Sequence, residues 1–386
     1  MKRVLIIGGY GNFGSYIARA LATDPNISLL IGGRSKSKAD AFAAGLDAAN
    51  PANGCVLDIY QDVQARLREI GPDIVIHTTG PFQLQDHRVA RAAIAAGAHY
   101  LDLADARHFV ATIGELDEEA RTAGVAVIAG ASSVPCLTGA FIDRYRSRFQ
   151  RLESAIYGIA AAQATNRGLG TAAAILSYVG KPFTILRNGQ PKRVFGWQGL
   201  HAVRYPELGL RLFGYCDIPD LELFPERYPE LRNLEFVAGH EVKLLHIGTW
   251  LLSWIVRFGI VRSLALYARS LLELSFLFDP LGSDKSGFHM FLSGARHDGR
   301  RERISIFMIA RQVHGPNIPC IPTILLAKRI AAGERIEAGA RPCLDLVTLD
   351  EIMSAIAHLD IETMMVGSDF EERWPGSTGS RVVRKN

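Results

Sequence analysis

Apolar residues run unbroken from Val4 to Ile7, directly after Lys2 and Arg3, and the run ends in Gly8, Gly9, Tyr10, Gly11, Asn12, Phe13 and Gly14. Such a run reads as a short strand buried on both faces. Phe13, Ile17, Ala20 and Leu21 then recur at helical spacing, so strand, glycine turn and amphipathic helix follow one another. Ser28–Ile31, Cys55–Asp58, Asp73–Thr78, His99–Leu103 and Val125–Ala129 read as further strands. Helical patterns at 39–44, 86–96 and 110–120 lie between them, with Gly97 and Gly124 as stops. This alternation predicts an α/β fold whose first domain, residues 1–137, is a doubly wound parallel sheet.

From Leu137 the pattern changes to longer strands and hairpins, which predicts a second, α+β domain over residues 138–315. Leu152–Gln163 reads as a strand, and Asn188-Gly189 between Phe183–Arg187 and Lys192–Trp197 is a hairpin signal. His289–Leu292 and Ile304–Ile309 flank a polar turn at Arg296–Arg303. Two strongly apolar stretches, Leu244–Val256 and Ile260–Phe278, read as amphipathic helices hinged at Gly259 and packed as a hairpin on the sheet or on a partner subunit. His246, Ser253 and Arg257 line one face of the first; Arg262, Arg269 and Glu273 line one face of the second. Neither holds the roughly eighteen uninterrupted apolar residues of a membrane span, and a peripheral membrane contact stands as the alternative to the subunit reading. Residues 316–386 add a helix at Ile324–Ala332, a capping box from Thr348 to Glu351, and a polar, basic tail from Ser377 to Asn386 that is expected to fray. This C-terminal segment is a candidate to pack back on the first domain.

With 386 residues, 48% of them apolar, the chain can bury a large core in two domains. Its formal charge of +4 is mild and its Lys and Arg are scattered, so no nucleic-acid partner is implied. Cys55, Cys136, Cys216, Cys320 and Cys343 are odd in number and lack CxxC spacing, which favours reduced thiols and no metal site. Lys2 and Arg3 imitate the start of an export signal, but the apolar run is too short, so a cytoplasmic location is expected. The two apolar helices, too greasy for a lone monomer to expose, point to a homodimer.

Gly9, Gly11 and Gly14 make GxGxxG where the first strand turns into a helix, the place a Rossmann-type dinucleotide site demands it, with Tyr10, Asn12 and Phe13 in the same loop. About twenty residues on, an NAD site carries an acid for the ribose 2′-hydroxyl. Here stand Arg34 and Ser35. A guanidinium beside a hydroxyl suits a 2′-phosphate, so NADP is the expected cofactor, against the alternative of a solvated basic helix start. Asp58 after the third strand, and Thr79, Gly80 and Phe82 after the fourth, complete the expected cofactor contacts.

The pattern withholds an evident proton donor. No Tyr is followed four residues later by Lys, His240-Glu241 and His246 lack HExxH spacing, and neither GxSxG nor a Walker sequence occurs. Candidates therefore come from strand ends and from the second domain. Tyr100 and Asp102 share a face of the fifth strand, with Asp105 just beyond. Substrate binding or proton transfer is one role for the two acids; a satisfied hydrogen bond for Asp102 and a helix cap for Asp105 is the other. His77 reads as a core histidine, and Cys136 is placed to line the pocket. Ahead of a helix at 172–179, Arg167 and Thr171 either offer a cation and amides to a phosphate or carboxylate, or form a glycine turn with Thr171 as cap.

The motifs at 8–14, 31–35, 78–82, 92–105 and 130–139 together resemble the NADP-binding domain of the saccharopine dehydrogenase family, and 167–171, 282–294 and 314–323 resemble the short oxidoreductases of that family. The resemblance implies an NADP-linked oxidoreductase architecture with a small-molecule substrate, and leaves the substrate open because the fold hosts many activities. One function is hydride transfer at a C=N or C=O bond, with Asp102, Asp105, Arg167 and Thr171 around the nicotinamide. An iminium substrate would arrive already protonated and ease the missing-donor problem. The other function is a non-catalytic NADP-binding redox sensor or lipid-surface scaffold.

Overall fold

In the computed structural model, which describes residues 1–374 and 382–385, the chain divides into two units: Met1–Ala140 with Asn317–Ile352, and Phe141–Pro316 with the described residues from Met353. In the first unit, β1 (Lys2–Ile7), β2 (Ile27–Gly33), β3 (Asn53–Val56), β4 (Ile74–His77), β5 (His99–Asp102) and β6 (Ala126–Ala129) alternate with α1 (Asn12–Ala22), α2 (Lys36–Ala44), α3 (Val63–Ile70), α4 (Arg88–Ala95), α5 (Arg107–Ala111) and α6 (Asp117–Ala123). The strands pair in parallel in the order β3-β2-β1-β4-β5-β6. The order reverses between β1 and β4, the switch point at which such sheets take ligands. Val4–Ile7, Ile74–His77 and Ala126–Ala129 are each buried throughout, because helices cover both faces of a parallel sheet. α1 buries Gly14, Ile17, Ala18, Leu21 and Ala22, each fully buried Ile or Leu contributing about 1.5–3 kcal/mol.

The helix expected at 110–120 is instead split into α5, a 3-10 turn at Ile113–Leu116, and α6. Thr112 closes α5 by donating both N–H (3.0 Å) and Oγ1 (2.7 Å) to His108 O. Asp117, Glu118 and Glu119 then open α6, where its positive dipole end favours carboxylates. The third strand ends at Val56 and leaves Asp58 in the following turn.

The second unit is built on a mixed sheet. α7 (Thr138–Tyr145) leads into β7 (Arg151–Ala161), followed by α8 (Leu169–Tyr178), β8 (Pro182–Arg187), β9 (Gln190–Phe195), β10 (His201–Tyr205), β11 (Gly209–Tyr215), α9 (Asp220–Arg227), β12 (Asn233–His240), α10 (Lys243–Arg257), α11 (Ala268–Phe276), β13 (Ser286–Ala295) and β14 (Arg301–Ala310). Both expected hairpins form. Asn188 (φ 53°) and Gly189 (φ 76°) make the turn between β8 and β9, and β13 pairs antiparallel with β14. The second apolar helix begins only at Ala268, because Ser263 Oγ accepts the Ala265 N–H (3.2 Å) and starts a 3-10 turn at Leu264–Tyr267.

The segment after residue 316 is divided between the units. α12 (Ile321–Ala331) packs on α1, and β15 (Gly339–Pro342) adds a seventh parallel strand beside β6. Thr348 and Glu351 exchange the expected capping-box bonds at the start of α13 (Leu349–Ile356). β16 (Ile361–Val366), β17 (Phe370–Trp374) and β18 (Val382–Lys385) then extend the second sheet, whose order is β10-β11-β12-β7-β13-β14-β16-β17-β18, with the β8–β9 hairpin joined to β12. Of the tail expected to fray, residues 382–385 instead run as a strand; the rest of Ser377–Asn386 lies outside the described residues.

Candidate functional site

At the end of β1 the chain turns on backbone alone. Gly8 sits at φ +82°, and the amides of Gly8 and Gly9 both donate to Gly32 O (2.8 and 3.1 Å). A Cβ on Gly14 would come within 2.3 Å of Gly8 O, and one on Gly9 within 2.9 Å of Ile6 O, so neither position admits a side chain. Gly11 caps α1 without a side-chain bond, which leaves the first-turn amides and the positive dipole end to an external anion. A bare turn heading a helix fits a pyrophosphate.

Tyr10 braces the neighbouring strand end. Its ring lies where a Cβ on Gly33 would stand, and its hydroxyl accepts the Ser35 N–H at 3.2 Å. Ser35 Oγ accepts the Lys38 N–H as the cap of α2, so this serine has the structural role. Lys36 is tied to Asp40, while Arg34 is exposed. Asn12 is exposed in the first turn of α1 and Phe13 is half-buried, its carbonyl facing the Cys320 thiol (3.8 Å). Asp58 Oδ1 accepts the Tyr60 N–H at 3.0 Å within its own turn.

The ends of β4 and β5 hold a continuous polar line. Thr79 Oγ1 meets His77 Nε2 at 2.6 Å, and His77 Nδ1 meets the Tyr100 hydroxyl at 3.0 Å. Burial and the neighbouring Asp102 carboxyl push the pKa of that hydroxyl up; Asp102 Oδ2 makes no hydrogen bond among the described residues. The ladder makes this geometry: His77 pairs with Asp102 across the two strands, and Tyr100 lies two residues before Asp102, on the same face. Asp102 also clamps the next loop, its Oδ1 accepting the amides of Ala104 (2.9 Å) and Gly130 (2.7 Å) and its carbonyl that of Ala131 (2.8 Å).

Burial pushes the Asp102 carboxyl up to about 6, against the two amide bonds that lower it, and burial holds the His77 imidazole down at about 3. His77 is therefore neutral near pH 7, with one ring nitrogen a donor and the other an acceptor. At the far end of the line Thr79 is half-buried, its methyl so close to Gly8 that a Cβ there would meet it at 2.7 Å. The line thus runs from the buried acid to the glycine turn.

Other expected contacts are placed differently. Phe82 is 5% exposed, packing on His77 and Phe109 (ring centroids 5.0 and 5.2 Å) as the floor of the loop instead of its cover. Gly80 is exposed, and Gln85 pins the loop by donating to Thr79 O (2.6 Å) and Pro81 O (3.1 Å). Asp105 is exposed and accepts from Gln83 Nε2 (3.0 Å); α5 is capped by Ala106, so the cap reading of Asp105 falls. Cys136 is buried beside Cys343, whose thiol is pushed up by its hydrogen bond to Cys136 and by burial. The sequence reading takes His77 as a core histidine and does not join it to Tyr100. The signal for that join was a pair of polar residues two apart at each of two strand ends, at 77/79 and 100/102.

In the second unit, Arg167 donates through Nη2 to Asp279 and stacks on Phe276 (4.7 Å), so its charge is already answered. Gln163 Nε2 reaches the same carboxylate at 2.9 Å. α8 starts at Leu169 with Gly168 as cap, which puts Thr171 inside the first turn, exposed, and not at the cap.

Residues 4–128 match the family model described as Saccharopine dehydrogenase NADP binding domain. No curated protein matches the chain in sequence. Among solved structures it is similar to apo saccharopine dehydrogenase (L-Glu forming) from Saccharomyces cerevisiae, with 15% identity, a TM-score of 0.66, and coverage of 94% of this chain and 100% of that one. It is more distantly similar to an amine dehydrogenase from Mycobacterium smegmatis, with 12% identity, a TM-score of 0.44, and coverage of 91% and 95%.

Proposed function

From the match of residues 4–128 to the saccharopine dehydrogenase NADP-binding domain model, we propose that this protein is an NADP-dependent oxidoreductase transferring a hydride to or from a C=N or C=O bond of a small metabolite. The observation that carries the reading is the Thr79–His77–Tyr100 line, with the buried Asp102 carboxyl beside it, ending at the glycine turn. Bound at that turn, NADP would supply the hydride. Gly9, Gly11 and Gly14 keep side chains away from the pyrophosphate, and Arg34, with no carboxylate at the end of β2 to compete, answers the 2′-phosphate.

Thr79 is the donor for reduction of a carbonyl. Below about pH 6, where Asp102 carries its proton, the Thr79 hydroxyl proton passes to the substrate oxygen, Thr79 takes the His77 Nε2 proton, His77 Nδ1 takes that of Tyr100, and Tyr100 takes that of Asp102. Only Asp102 ends one proton short, and oxidation runs the line backwards. Asp102 is thus a proton reservoir and positioning residue, while Asp105, exposed at the same loop, contacts substrate. In the second unit Arg167 is held by Asp279, and Thr171 is exposed at the head of α8. The five buried cysteines, none of them in a disulfide among the described residues, support a reducing compartment.

The test is NADPH oxidation across ketones, aldehydes and amine–carbonyl mixtures. On a carbonyl substrate Thr79→Val is expected to lose roughly 10²–10⁴-fold in kcat, the usual scale of acid catalysis, with cofactor affinity kept. Tight cofactor binding without turnover anywhere in the panel would reject the enzyme in favour of the sensor.

A further inference from the structure

A surface helix normally turns its polar stripe to water and its apolar stripe to the core. α10 does the reverse. His246 and Ser253 are fully buried and Thr249 is 8% exposed, whereas Leu244, Leu251 and Phe258 are 64%, 55% and 71% exposed. The inward hydroxyls are accommodated locally, Ser253 Oγ donating to Trp250 O (2.6 Å) and Thr249 Oγ1 to Leu245 O (3.0 Å), while the buried His246 ring lies against Trp197 (5.3 Å).

The reversal continues past the hinge, where Ile260, Leu266 and Leu277 are 75%, 78% and 73% exposed. Val256 from α10, with Leu264 and Leu271 from the following turn and α11, enters one core with Val179 and Trp197, so both helices have their backs to the same support. Of the 18 large apolar side chains exposed among the described residues, 11 fall between residues 244 and 281. They expose apolar area on the order of 1,000 Å², well beyond the few hundred that a soluble monomer usually shows in one patch.

Charge selects the occupant. Lys243, Arg257, Arg262 and Arg269 are exposed within this stretch, against one exposed acid, Glu273, while Asp279 is engaged by Arg167 and Gln163. The Arg257 guanidinium lies over Phe195 (4.0 Å) and Trp254 (4.8 Å), a cation held at the edge of apolar surface. A two-fold contact with a second copy would bring a face of four exposed cations and one exposed acid, Glu273, against an identical face and leave most of the cations unpaired. A surface of lipid phosphates supplies the missing anions and takes up the Leu and Phe side chains. No helix among the described residues is long and apolar enough to cross a membrane, and the 15 residues of α10 rise only about 22 Å. Trp250, Trp254 and Tyr267 supply the amphipathic rings that settle at headgroup depth.

We propose that this face of the second unit lies on an anionic lipid surface, with α10 and α11 in the plane of the headgroups. The proposal is independent of the hydride-transfer reading. The full chain is expected to sediment with phosphatidylcholine–phosphatidylserine vesicles, more weakly with phosphatidylcholine alone, and less as salt is raised. Leu251→Ser with Phe258→Ser, and separately Arg262→Glu with Arg269→Glu, are each expected to cut partitioning at least tenfold while circular dichroism and NADPH titration stay as in wild type. All four positions are exposed, so folding is spared. Failure of the wild-type chain to sediment with the anionic vesicles would overturn the proposal. So would a dimer in light scattering that Leu251→Ser with Phe258→Ser dissociates, since that would make the face a subunit contact.

Discussion

At the end of β2, Arg34 is exposed where an acid would hold a ribose hydroxyl. Hydrogen bonds to a charged group are worth about 1.5–3 kcal/mol, so Arg34→Ala should weaken NADPH binding by roughly one to two decades and leave NADH binding nearly unchanged. Calorimetric titration with both cofactors reads this directly. Asp102 and His77 make a second residue-scale prediction, about pH. The folded Asp102 carboxyl, at about 6, lies above its unfolded value. Its contribution to stability is present below about pH 4 and is lost as pH rises through about 6. His77, held at about 3, lies below its unfolded value, so its contribution is present above about 6.5 and is lost on acidification. The two slopes oppose one another between pH 4 and 6. Asp102→Asn should therefore steepen the acid loss of stability, and His77→Gln should make it shallower, with the buried His240, His246 and His289 still supplying an acid loss in every variant, all read from urea midpoints across pH. Identical pH profiles for wild type and the two variants would rule out these titrations. Single residues were legible in the sequence where geometry follows from spacing, as with the glycines and the Tyr100–Asp102 face. The join from His77 to Tyr100 was not, because it needs the register between two strands.

Glycines that look alike in the chain do different work in their elements. Gly14 gives α1 its approach to the turn, and a Cβ there would strike the carbonyl of Gly8 at 2.3 Å. Gly189 holds a hairpin at φ +76° with space around it. Gly189→Ala should cost about 1–2 kcal/mol in urea stability with cofactor binding intact, whereas Gly14→Ala should abolish measurable NADPH binding in calorimetry. Helices and strands with a plain period were readable: the β8–β9 hairpin and the capping box at Thr348 form as the pattern requires. The period misleads at 110–120, where Thr112 turns its hydroxyl onto the preceding carbonyl. It also misleads in α10, where amphipathicity is present but its inward stripe is the polar one. Sequence period reports that a helix has two faces, and tertiary packing decides which is covered.

At the scale of the whole chain, the parallel sheet is finished by residues far from its beginning. β15 pairs with β6 through Gly339–Pro342, and α12 packs on α1. The period of a four-residue strand is too short to show this from sequence, and its partner is chosen only by the fold. If β15 belongs to the cooperative unit that holds the cofactor, NADPH at a hundred times its Kd should raise that unit's unfolding free energy by about 2.7 kcal/mol. Amide exchange should then slow at residues 339–342 as well as at 4–14; exchange unchanged at 339–342 would separate that strand from the unit. The same connection imposes an order of events during synthesis. When the ribosome has released residues 1–140, the nascent sheet has an open edge along β6 and an uncovered flank on α1, and both stay bare until residues 141–316 have emerged and α12 and β15 arrive. An unpaired edge of this kind invites pairing with other chains, so translation of the middle of this protein is the interval in which its beginning needs a chaperone.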